Sequence, residues 1–290
     1  MKQEHLINTP RRLKTTEEKT LPTKVSNSPQ KKTPIKSKKT ARVNGGISTN
    51  ELIYSAYQDH NDGVFPHILE LYVPMGSRIA DITFSKGVFW KNIDLKKYKL
   101  TASDLKTKHL AKGCKGGIDS RKLPYKNKSF DAVIFDPPYM HTPGGTAHNG
   151  HQNFEEYYAN NVEQNQDVTE QIWTETNGNP PKYHEAVLDL YNRTGREAWR
   201  VLDNDGVFIV KCQDEVCSNK QRLTHIEITL EFEKYGFQAI DLFVVMRKNK
   251  PGVSRIKTKQ YHARKNHSYF MVYRKMRPKK SNRVQALPTR

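Results

Sequence analysis

Between residues 64 and 275 the apolar and polar positions change period several times, and each change marks an element. Four short runs, RIADITF at 78–84, YKLTASDL at 98–105, FDAVIFD at 130–136 and GVFIVKC at 206–212, read as strands apolar on both faces, as in a parallel sheet covered on both sides. Between the third and fourth, YHEAVLDLYNRTGREAWRVLDNDG sets Ala186, Leu190, Ala198, Val201 and Leu202 at helical spacing and closes on Asn-Asp-Gly at 204–206, a helix with a stop signal. HIEITLEFEKYGF repeats the pattern and ends at Gly236. The last two runs, AIDLFVVMRK and SYFMVYRK, have no helix between them, as an antiparallel pair would not. Alternating β and α followed by a hairpin predicts an α/β, doubly wound sheet, mostly parallel with a terminal antiparallel strand.

The ends of the chain differ from this middle. Residues 1–46 hold twelve Lys and Arg against three acids, and residues 274–290 hold seven with no acid, so only +3 of the net +19 falls on residues 47–273. Pro, Ser, Thr and Lys dominate the first 46 residues, which cannot bury enough surface to offset ordering. The expected organisation is a disordered basic tail at 1–46, a folded domain at 47–275 and a basic tail at 276–290. The tails suit either sequence-independent attraction to phosphates or plain solubilisation. No apolar run reaches the roughly 20 residues of a membrane span, and the Met1 end lacks a secretory signal, so a cytoplasmic protein is expected. Cys114, Cys212 and Cys217 form no CxxC pair, and the expectation is free thiols and no metal site.

One strand ends abruptly in DPPY at 136–139. In an open parallel sheet, ligands bind beyond the carboxyl ends of the strands. The two prolines remove donors and stiffen the backbone after Asp136. Asp136 and the Pro137 carbonyl can then accept both hydrogens of an exocyclic amino group while Tyr139 stacks on its ring, freeing the nitrogen lone pair for attack on a methyl donor. Asp104 ends the second strand 23 residues after Asp81, near the offset of about 20 at which an acid meets ribose hydroxyls in dinucleotide folds.

These residues resemble the class I S-adenosylmethionine-dependent amino-methyltransferases that modify adenine N6 or cytosine N4 in DNA. Their [DNS]PP[YFW] tetrapeptide is matched by Asp136, Pro137, Pro138 and Tyr139, with Asp first as is more typical of the adenine enzymes. RIADITFSKGVFW stands where the family has its cofactor motif. Asp81 matches the acid and Gly87 the last glycine, while Ser85 and then Lys86 occupy the place of a usual glycine. The resemblance implies a Rossmann-like methyltransferase sheet and S-adenosylmethionine bound by Asp81, Thr83, Ser85, Lys86 and Gly87, with Asp104 on the ribose, Asp119 on the adenine amino group and the Phe65-Pro66 pair packed nearby. For Phe65, core packing is an equal reading. Ser85 suits a tight turn if its φ is negative.

The segment from 140 to 183, with Phe154, Tyr157, Tyr158, Trp173 and Tyr183, is a candidate lid and target contact or a small helical insertion; His141, His148 and His151 in it read as polar loop residues. Between the terminal strands, Lys257, Lys259, Arg264 and Lys265 are candidate phosphate contacts. The function implied is site-specific DNA adenine-N6 methylation. Two alternatives stay open: an RNA methyltransferase acting on adenine N6 or guanine N2, and an inactive methyltransferase fold that binds nucleic acid.

Overall fold

The structure is a computed structural model and describes residues 52–139, 181, 183–248, 261–263 and 265–277. The expected tail at 1–46, the insertion through residue 180, the C-terminal tail beyond 277, and Lys257, Lys259 and Arg264 lie outside the described residues.

The strands are β1 (Ala56–Gln58), β2 (Arg78–Asp81), β3 (Lys99–Ala102), β4 (Phe130–Phe135), β5 (Leu202–Cys212), β6 (Glu215–Cys217), β7 (Lys220–Arg222), β8 (Phe237–Met246) and β9 (His267–Lys275). Seven of them form one sheet in the order β1-β8-β9-β5-β4-β2-β3. Every neighbouring pair is parallel except those of β9, which runs antiparallel to both β5 and β8. The doubly wound, mostly parallel sheet with one reversed terminal strand is thus present as the apolar runs predict. The chain leaves β2 for β3 on one side and returns to β4 on the other, so the topological switch point lies between β2 and β4. Ligand crevices form at such a point, beyond the carboxyl ends of the strands.

Helices α1 (Asn61–Tyr72), α2 (His184–Val201) and α3 (Thr224–Lys234) cover the sheet. Alternation along each strand sends residues to two cores. Val133, Phe135, Phe208 and Val210 pack with Leu190, Tyr191 and Phe232 from α2 and α3. Ala132, Ile134, Ile209 and Val272 pack with Val64, Phe65 and Ile68 from α1. Side chains such as Phe208 and Ile209 are wholly buried, each contributing about 1.5–3 kcal/mol of transfer free energy. Pro66 inside α1 deprives the Asp62 carbonyl of its helical donor, and the Asn92 side-chain amide donates to that carbonyl at 3.0 Å instead.

Two expectations need correction. The first two crossovers contain no α-helix: 3-10 turns at Val88–Trp90 and Leu95–Lys97 join β2 to β3, and turns alone join β3 to β4. The first stretch is broken by positive φ at Ser85 and Gly87, and the second, rich in Gly and Lys, has no apolar period to anchor a helix. Asn-Asp-Gly at 204–206 does not end α2. The helix stops at Val201, the strand begins at Leu202, and the three residues sit in a bulge of β5, where Phe130 pairs Leu202 but Ala132 pairs Val207. The buried Lys275 ammonium takes the helix-end carbonyls of Trp199 and Leu202 at 2.5 and 2.7 Å, a cation where the helix dipole favours one. Lastly, β1 and the β6–β7 hairpin were not foreseen; three-residue strands leave little periodicity to read.

At the crossing of α2 and α3, a Cβ on Gly195 would lie 2.5 Å from a Phe232 ring carbon. Gly195→Ala gains about 1 kcal/mol of helix propensity but overpacks the contact at a cost of about 1–3 kcal/mol. A lower urea midpoint is expected; a higher one would mean that Phe232 gives way freely.

Candidate active site at the carboxyl edge of β2, β3 and β4

Asp81 closes β2 and is 3 % exposed. Its Oδ2 accepts the Trp90 indole N–H at 2.7 Å and its Oδ1 the Thr83 N–H at 3.1 Å. Burial, reinforced by the charges of Asp136 and Asp104 and only partly offset by these donors, pushes its carboxyl up to about 7. Thr83 serves both halves of the edge, because its Oγ1 accepts the Asp136 N–H at 2.7 Å. The turn after β2 and the DPPY corner are therefore pinned to one another through a single side chain.

The turn that follows is tighter than its sequence suggests. Ser85 has φ of +49°, so the condition of a negative φ fails, and Gly87 has φ of +68°. A Cβ at Gly87 would meet the Phe84 ring at 2.8 Å. A serine in the left-handed region costs about 1–2 kcal/mol, and the Ser85 carbonyl is held in place by the Ala111 N–H at 2.9 Å. Lys86 is exposed at the turn.

Asp104 follows β3 and is 1 % exposed, its Oδ1 accepting the Lys106 N–H at 2.9 Å. Asp119 lies in the loop before β4 with both carboxylate oxygens engaged by the Arg121 guanidinium at 2.7–3.1 Å. Burial works against ionisation of Asp119, but Arg121 more than reverses it and holds the carboxyl below its ordinary value. Phe65 is fully buried among Phe89, Trp90 and Phe270 at ring distances of 5.2–6.1 Å, which is the packing reading of that residue.

At the DPPY corner, Pro137 is buried and Pro138 and Tyr139 are half-buried. Asp136 Oδ1 is buried with no hydrogen-bond partner among the described residues, and burial pushes the carboxyl up to about 6 against the pull of Lys211. Tyr139 packs on the α2-side core. Its hydroxyl is pushed up to about 12 by burial and by Asp136, although Arg247 hydrogen-bonds it. Arg247 also donates to Gln213 Oε1 at 3.2 Å, and the Gln213 amide donates to the Lys265 carbonyl at 3.4 Å. Lys265 is thereby brought to this edge, the one candidate phosphate contact among the described residues. Buried polar groups continue past β5, where Asp214 bonds His225 at 2.7 Å and Tyr269 at 3.2 Å. Among the described residues no cluster of His, Cys, Asp and Glu is suited to a metal ion, and no helix is long and apolar enough to cross a membrane.

Trp90, Lys211, Gln213 and Arg247 were not singled out from the sequence. Lys211 alone left a trace there, a charge within a run apolar on both faces, which demands a partner.

The family model described as DNA methylase, of the N6/N4 methyltransferase group, matches residues 130–289, from the start of β4 through DPPY to near the end of the chain. This is more than half of the 290 residues. The chain belongs to the DNA methylase family. The matched part carries the DPPY corner, while Asp81, Asp104 and the turn between them precede it. Among solved structures, a candidate DNA modification methylase of Thermus thermophilus complexed with S-adenosyl-L-methionine is 20% identical, over 56% of this chain and 54% of that one, with a TM-score of 0.33. The PH0226 protein of Pyrococcus horikoshii is 15% identical over 72% and 86%, at 0.41. TrmN of Thermus thermophilus is 15% identical over 74% and 49%, at 0.42. The chain spans about half the length of the Thermus methylase. No curated protein matches it.

Proposed function

We propose that the protein is an S-adenosylmethionine-dependent DNA methyltransferase acting on the exocyclic N6 of adenine. The observation that carries this reading is the convergence of Asp81, Asp104 and Asp136 at the carboxyl ends of three adjacent strands, with Asp136 Oδ1 buried and without a partner among the described residues. Carboxylates crowded so that burial and mutual repulsion raise Asp81 favour a cationic ligand, whose charge would relieve both. S-adenosylmethionine, with a sulfonium and an ammonium, fits that demand, and the left-handed turn at Ser85 and Gly87 supports close backbone approach.

When bound, the cofactor supplies an electrophilic methyl group on sulfur and leaves as a neutral thioether. Asp81, Thr83 and the 85–87 turn would hold it, Asp104 would meet its ribose, and Asp119 its adenine. On the other side of Thr83, an adenine flipped out of the duplex would stack on Tyr139. Its amino hydrogens would lie against Asp136 Oδ1 and the Pro137 carbonyl. With both hydrogens held, the nitrogen lone pair would be presented to the cofactor's methyl group, and Asp136 or water would accept the surplus amino proton. The rate would come chiefly from alignment of the two reactants. Phosphates of the target strand would meet Lys265 and the other Lys and Arg side chains of the segment before β9.

The test is transfer of tritiated methyl groups from S-adenosylmethionine to unmethylated DNA and, separately, to total RNA. Label in DNA is the expected result. Label in RNA alone would move the substrate to RNA, and cofactor-free binding of nucleic acid with no label would leave a binding protein.

A further inference from the structure

Lys211 is 1 % exposed and sits one residue before the end of β5, in a strand otherwise apolar at its neighbours. Its ammonium lies 4.2 Å from the centre of the Phe270 ring and donates to Ser268 Oγ at 2.8 Å. An apolar side chain of the same length would fill this space without desolvating a charge, and buried charges persist only against a compensating partner. Pairing of β4 with β5 identifies that partner. The pairing runs to Phe135 opposite Val210, and Asp136 and Lys211 are the next residues along the two parallel strands.

We propose that Lys211 is a positioning residue of the DPPY corner, the buried counter-charge that keeps Asp136 an ionised acceptor facing the target amino group. The inference rests on the reading of that corner as the methyl-acceptor site. A protonated Asp136 would keep a carbonyl acceptor, but a weaker one, and could not take up the surplus amino proton. Lys211 and Asp136 oppose each other's burial in the required sense: desolvation raises the acid to about 6 and lowers the ammonium to about 8, and each charge counters the shift of the other. Among the described residues, the other ionisable groups around the pair are Asp81 at the end of β2, Tyr139 on the DPPY segment, Cys212 on β5 and Arg247 beyond β8. Arg247 acts on Tyr139 and Lys211. Among the described residues, Lys211 is the cation that acts on Asp136 itself.

The experiment is a carbon-13 titration of the Asp136 carboxyl, identified by its loss in Asp136→Asn, in the wild type and in Lys211→Met, with the pH profile of methyl transfer measured on both. In Lys211→Met the carboxyl midpoint is expected to rise by one pH unit or more, and the acid limb of the rate profile to move with it, so that activity returns as pH is raised. An unmoved midpoint would overturn the proposal, as would a rate lowered equally at every pH. If Lys211→Met does not fold, Ser268→Ala loosens the ammonium and should move the midpoint in the same direction by less; no movement there overturns the proposal too. A wild type that transfers no methyl group would count against the assigned function, while the carboxyl titration still decides the role of Lys211.

Discussion

Asp136→Ala is expected to lower methyl transfer on the order of 10³-fold while leaving cofactor affinity within a few-fold of the wild type. Preorganised hydrogen-bonding groups at a reacting centre are worth about 10²–10³ in rate when removed singly, and Asp136 is asked both to hold the amino group and to bear its developing charge. Its Oδ1 has no partner among the described residues, and the tie to Thr83 runs through the backbone N–H. Loss of folding is therefore not the expected cause of inactivity. Asp136→Asn keeps one carbonyl acceptor and is expected to retain more activity than Asp136→Ala. Single-turnover rates with saturating cofactor separate this from a binding defect. Equal rates for Asp136→Ala and wild type would remove the DPPY corner from the chemistry.

The second large effect is on stability. Asp81 and Asp136 titrate near 7 and 6 in the folded protein, above the ordinary carboxylate value of 3.8. A group raised on folding contributes stability that is complete below its unfolded value and is lost as pH rises through the folded value. The ligand-free protein should therefore weaken between about pH 4 and pH 7. At 1.36 kcal/mol per pH unit, Asp81 accounts for about 4 kcal/mol and Asp136 for about 3; Asp136 is only partly buried and solvent screens part of its share, so the joint loss is nearer about 5. For a domain of this size that is a fall in Tm of about 10–15 °C. Asp119, Asp131 and Asp214, held below the ordinary range by Arg121, Arg78 and His225 against the opposing effect of burial, act in the opposite sense, but only as pH falls below about 4. His184, raised by Glu215 and Glu227 in spite of its burial, adds to the loss at higher pH. Thermal melts from pH 5 to 8 should show this decline, a flatter one in Asp81→Asn, and its partial removal by S-adenosylmethionine, whose positive charge compensates the acids. A wild-type Tm that is level or rising across this range would contradict the acidic cluster as a cation site.

The elements that were legible before the structure are those with long, regular patterns. The runs that became β4, β5, β8 and β9, and the spaced apolar residues of α2 and α3, each declare a period over many positions. DPPY was legible because its rigidity and its place after a buried strand carry a chemical meaning within four residues. The rest depends on partners distant in the chain. Trp90 supports Asp81 only because a 3-10 turn folds back over β2, and Lys211 meets Asp136 only through strand pairing across 75 positions. Arg247 reaches Tyr139 from the end of β8. Such contacts have no local signature. The positive φ of Ser85 runs against residue preference, and only the closing of the turn around Asp81 requires it.

This carboxyl edge is proposed to methylate adenine N6 in DNA. Its most direct test is nucleoside mass spectrometry of unmethylated DNA after incubation with the purified protein and S-adenosylmethionine, with Asp136→Ala alongside. N6-methyladenine from the wild type and none from Asp136→Ala is the expected result; N4-methylcytosine, or no methylated nucleoside from a protein that binds both cofactor and DNA, would contradict it.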